Sequence, residues 1–113
     1  MTTLHAVPPA LQERFETVVG SIQKEIHANA VAHGFWPKDV VAHTPVALAL
    51  ICSEIGEAIE ADRTAKDNFN EELADIVMRA MDLAEARNIK LGYEIIKKMK
   101  HNQTRPYKHG KRY

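Results

Sequence analysis

Residues Leu48–Asp62 read LALICSEIGEAIEAD. Leu48, Leu50, Ile51, Ile55 and Ile59 give the stretch an apolar, helical character. Glu54, Glu57, Glu60 and Asp62 crowd into the same segment. Glu54 and Glu57 are three residues apart and so share one helix face. A helix this apolar with paired carboxylates on one side needs an explanation for its charge.

The next periodic segment repeats the pattern. NEELADIV, residues 70–77, places Glu72 three residues before Asp75. Leu73, Ile76, Val77, Ala80, Met81 and Ala84 continue it at helical spacing to about Arg87. The connection TAKDNFN is short, so the two helices are expected to pack antiparallel. Asn68 with Glu71 three residues later has the form of a capping box. Glu57 then lies near the end of one helix and Glu72 near the start of the next, and the pairs can face each other. Four converging carboxylates repel unless some are protonated or a cation compensates. Mg²⁺ takes oxygen ligands and commonly shares them with substrate phosphates. Solvated Glu pairs on an exposed helix face are the plain alternative. Glu60 reads as a further ligand or a water-activating base, Glu71 as a cap. Arg79 has an ordinary i,i+4 partner in Asp75.

Working outward, the chain reads as all-α: a compact, four-helix, bundle-like single domain over residues 1–113. Pro8 and Pro9 open the first helix. Leu11, Phe15, Val18, Val19, Ile22 and Ile26 recur along it, and Gly34 stops it. Thr44-Pro45 is a start signal for the second, which runs to about Ala65. Asn88 is placed to end the third in a left-handed turn. A fourth covers about Lys90 to His101. From about residue 102 the chain is a basic tail containing Pro106 and Gly110. The middle helices are apolar over wider arcs than one neighbour covers, which predicts a homo-oligomer, dimer or tetramer.

The 113 residues fit one domain. Hydrophobic residues make up 45% and charged residues 27%, ordinary for a globular chain. No uninterrupted apolar run approaches the roughly 20 residues that span a bilayer, and MTTLHAVPPA has no leader pattern. The one cysteine, Cys52, excludes an intrachain disulfide and predicts a cytoplasmic chain with Cys52 packed in its helix. The net charge of zero hides an asymmetry. Residues 97–113 hold seven Lys or Arg and no Asp or Glu, leaving 15 acidic and 8 basic residues before them. An acidic body with a basic end suits a metal-bound polyphosphate. A solvated basic terminus is the plain alternative. Lys97, Lys100 or His101 could reach phosphates from the fourth helix, followed by Asn102, Arg105, Lys108 and Lys111. HGFWP, residues 33–37, offers Trp36 and Phe35 either as a stacking surface or as a cap on the core. His43 is a candidate for hydrogen bonding a base or sugar.

The order E54-x-x-E57, a 14-residue gap, then E72-x-x-D75 resembles the signature of the MazG-like all-α nucleotide pyrophosphohydrolases. SEIGEAIEA and NEELADIV match that family's style, and the resemblance covers about residues 25–111. Ser53 stands before Glu54 where many members carry a second acid. The resemblance implies Mg²⁺-dependent hydrolysis of nucleoside triphosphates to the monophosphate and pyrophosphate, with Mn²⁺ as a substitute. It implies Glu54, Glu57, Glu72 and Asp75 as catalytic metal ligands. The loop with Trp36 would lie near the nucleobase, and a Lys, Asn and Arg set such as Lys97, Asn102, Arg105, Lys108 and Lys111 at the phosphates. No membrane and no nucleic-acid partner is expected. The competing reading is a non-catalytic helical oligomer whose basic tail, with Tyr107 and Tyr113, binds another macromolecule.

Overall fold

A computed structural model describes residues 6–113. The expectation about a leader bears partly on residues 1–5, which lie outside the described residues. Four α-helices follow in order: α1 (Pro9–Ala32), α2 (Val40–Arg63), α3 (Phe69–Ala86) and α4 (Leu91–Gln103). A short 3₁₀ turn, Tyr107–Gly110, follows α4. No strand occurs among the described residues, as an all-α chain requires.

The helix ends follow local chemistry. Pro9 is the first residue of α1, where its missing N–H costs nothing. Asn88 (φ 57°) adopts the left-handed conformation expected of it, and Gly34, expected as a stop, does the same (φ 80°). At each, two backbone bonds close a Schellman cap: Phe35 N–H to Ala30 O and Gly34 N–H to Val31 O, then Ile89 N–H to Ala84 O and Asn88 N–H to Glu85 O. Ala65 (φ 54°) does the same after α2, with Lys66 N–H on Ala61 O. That cap has no glycine or asparagine to announce it.

Two start signals need correcting. The second helix begins at Val40, not Thr44, because the Asp39 side chain caps it by accepting from Ala42 N–H at 3.1 Å. Pro45 therefore sits inside α2, and the Thr44 hydroxyl donates back to Val40 O at 3.2 Å. Asn68 occupies the cap position of α3 but forms no capping bond. Its Nδ2 donates instead to Glu72 Oε1 at 3.0 Å.

The described residues fall into two units, one running to Ser21 and including Lys90–Tyr113, the other Ile22–Ile89. In the first, Gly92 allows α4 to approach α1. A Cβ there would meet Glu16 Cα at 3.1 Å and Val19 Cβ at 3.2 Å. Gly92→Ala is expected to lower stability by about 1–3 kcal/mol, since backbone cannot give way as a side chain does. A thermal melt checks this, and a melting temperature equal to wild type would show that the helices can separate freely.

In the second unit, α2 and α3 form the main helix pair. Arg79 meets Glu54 and Glu72 meets Glu57, so the later residues of α2 face the earlier ones of α3, and the pair is antiparallel. Ala58, Ala61 and Ala84 are buried, and small side chains allow close helix approach. No large side chain is fully buried among the described residues. Val46, Leu48, Leu50, Ile55 and Ile59 of α2 and Leu73, Val77 and Met78 of α3 stay exposed. Cys52 is also exposed, not packed, because it falls on the arc of α2 away from α3. By length and composition α2 is apolar enough to span a bilayer, with a mean hydropathy of 1.3 over its most apolar window.

Candidate metal centre

Glu54 and Glu57 from α2 and Glu72 from α3 offer carboxylate oxygens that all lie within 4.8 Å of one another. The three-residue spacing on α2 and the antiparallel pairing with α3 produce this convergence. Each inner carboxylate is half satisfied. Glu54 Oε1 accepts from Arg79 Nε at 2.9 Å, and Glu72 Oε1 accepts from Asn68 Nδ2 at 3.0 Å. The second oxygens, Glu54 Oε2 and Glu72 Oε2, are buried with no protein partner. Glu54 itself is only 8% exposed. Buried carboxylate oxygens without partners are costly, and three acids of one sign add repulsion.

The cost is visible at Glu72. Removal from water, then the charge of Glu57, then those of Glu54 and Asp75, raise its carboxyl above the ordinary range. The folded state thus holds this proton more tightly than the unfolded chain does. Its stabilising effect is full below the ordinary glutamate value and is lost as pH rises through the raised one. Metal-free protein should therefore show a stability that declines from about pH 4.5 upward relative to Glu72→Gln. Melts of both proteins across that range, in chelator, check the sign. Parallel curves would mean that Glu72 carries no such burden.

Asp75 is not among the three converging residues. It acts on Glu72 through its charge and lines, with Glu54, Met78 and Arg79, a cavity of about 260 Å³. Glu60 points elsewhere, 3.9 Å from Arg63 one turn along α2. Arg79 does not pair with Asp75 as its spacing allows. It reaches across to Glu54.

A second cavity, of about 190 Å³, is lined by Phe35, Trp36, His43, Leu50, Arg79 and Asp82. Trp36 and His43, each a separate candidate from the sequence, both line it. Their rings meet edge to face at 5.1 Å between centroids. The indole is fixed by Asp82: Nε1–H donates to both carboxylate oxygens at 3.0 Å. His27 approaches Asp82 Oδ1 through Nδ1 at 2.7 Å and flanks Trp36 on its edge at 5.3 Å. An ionised carboxylate only accepts, so His27 Nδ1 carries the proton. Phe35 is 71% exposed and caps no core. The His27–Asp82–Trp36 network was not legible in sequence, since its members lie 46 and 55 residues apart.

The remaining candidates belong to the other unit. Lys97 lies exposed on α4. Asn102 lies in the last turn of that helix with its Oδ1 buried and unpartnered. Arg105 follows the helix, and Lys108 (φ 54°) lies in the 3₁₀ turn ahead of Lys111. Burial and the charges of Arg105, Lys111, Lys98 and His101 push His109 below the ordinary imidazole range. These residues form a locally dense positive region.

No protein-family model, curated protein or solved structure matches this chain.

Proposed function

We propose that the protein is a metal-dependent nucleoside triphosphate pyrophosphohydrolase of the MazG-like type, releasing the monophosphate and pyrophosphate. One observation carries this reading: three carboxylates converge within 4.8 Å and leave two buried oxygens without partners. Such a donor set, all oxygen and all anionic, fits Mg²⁺, with Mn²⁺ as a substitute.

Glu54, Glu57 and Glu72 would hold the metal, with Asp75 completing the anionic surround. When bound, the ion supplies charge neutralisation on the phosphates and a more acidic water. The protein's own part is positioning, which dominates phosphoryl chemistry. Asn68 and Arg79 fix the orientation of Glu72 and Glu54. The cavity bounded by Trp36 and His43 receives the base, and Asp82 holds the indole so that its ring presents one orientation. The exposed aliphatic residues of α2 and α3 are covered by further copies of the chain, and the protein works in the cytoplasm.

The test is a pyrophosphate-release screen over the common ribo- and deoxyribonucleoside triphosphates, with Mg²⁺ and with chelator. Mg²⁺-dependent release from one or a few nucleotides is expected. Silence across the whole panel would count against the reading.

A further inference from the structure

Arg79 joins the acidic cluster to the aromatic cavity. It lines both cavities, and it is the one Lys or Arg among their lining residues. Its pairing is lopsided. The Glu54 side chain is 11% exposed and that of Arg79 is 40% exposed. The carboxylate is therefore held inside, and the guanidinium is the solvent-facing partner. The bond is single, from Nε to Oε1 at 2.9 Å. Arginine binds carboxylates best through a two-pronged fork, and here both terminal NH₂ groups have no hydrogen-bond partner among the described residues.

Arg79 thus stands as a counter-ion on a carboxylate of the cluster whose other oxygen is buried without a partner. Two cations on one carboxylate weaken each other's hold. A divalent ion at Glu54, Glu57 and Glu72 loosens the Arg79 bond, and the unused fork matches a phosphate held beside that ion.

We propose that Arg79 is a displaceable counter-ion of Glu54, which metal binding releases to contact a phosphate group of the ligand. This rests on the metal reading of the acidic cluster. A structural ion pair would behave differently, because its loss would weaken metal and ligand binding together.

The experiment is calorimetric titration of metal-free protein with Mg²⁺, then of Mg²⁺-saturated protein with inorganic triphosphate. Arg79→Gln keeps a donor near Glu54 but removes the charge. It is expected to bind Mg²⁺ roughly three- to tenfold more tightly and triphosphate about tenfold or more weakly. Arg79→Lys is expected to keep wild-type Mg²⁺ affinity and still lose triphosphate affinity, because the charge remains and the fork does not. Unchanged or weakened Mg²⁺ binding in Arg79→Gln, or unchanged triphosphate binding, overturns the proposal. A further readout uses wild-type protein alone: the Arg79 Nε–H NMR signal should lose its hydrogen-bond protection on Mg²⁺ saturation, and a signal that stays protected overturns it too. Wild-type protein that takes up no Mg²⁺ would bring down the metal reading itself, a result distinct from normal uptake that Arg79 substitution does not alter.

Discussion

Glu72→Gln is expected to cut Mg²⁺-dependent pyrophosphate release at least about a thousandfold, a loss typical of removing a metal's anionic ligand. The same substitution should raise the melting temperature of metal-free protein above neutral pH. The two effects have one cause. Glu72 is half-buried, its second oxygen has no partner, and Glu57, Glu54 and Asp75 all press it toward the neutral form. Glutamine is that neutral form in shape, and its carbonyl still accepts from Asn68. A residue kept at a cost to the resting fold, and needed for the reaction, fits the usual trade between stability and activity. Activity assays beside thermal melts test both halves. If Glu72→Gln were less stable than wild type and still active, Glu72 would be a packing residue.

The second large effect is expected at Asp82. Asp82→Ala should cost about 2–4 kcal/mol, because it strands the Trp36 N–H and the His27 Nδ1–H at once. Asp82→Asn should cost less, since its carbonyl still accepts one bond. The alanine variant should also blur discrimination among bases, because the indole is no longer held in one orientation. Denaturant unfolding and kcat/KM ratios across the nucleotide panel measure these separately. A loss below about 0.5 kcal/mol for Asp82→Ala would mean that the network contributes nothing beyond an ordinary surface contact.

The contrast between these two sites explains what the sequence reveals. Glu54, Glu57 and Glu72 were legible because helix periodicity converts a spacing of three into a shared face, and the short link after α2 forces the faces together. Gly34 and Asn88 were legible because few residues tolerate positive φ. Asp82, His27 and Arg79 were not, because their partners come from elsewhere in the chain. Local spacing offered Arg79 a partner at Asp75, and tertiary packing supplied Glu54 instead. The start of α2 was missed because Thr44-Pro45 is a strong local signal, while Asp39 caps five residues earlier. Cys52 was misplaced because the apolar arc of α2 exceeds what α3 covers, so apolar surroundings in sequence did not mean burial.

The central claim is that Glu54, Glu57 and Glu72 hold a divalent cation. Its most direct test is calorimetric titration of metal-free protein with Mg²⁺, for wild type and Glu57→Gln. Glu57 is exposed and takes part in no ion pair among the described residues, so its substitution removes a ligand and leaves the packing intact. Saturable binding by wild type, weakened about tenfold or more in Glu57→Gln, is the result expected. Wild-type protein that takes up no Mg²⁺, or a variant that binds it equally well, would contradict the claim.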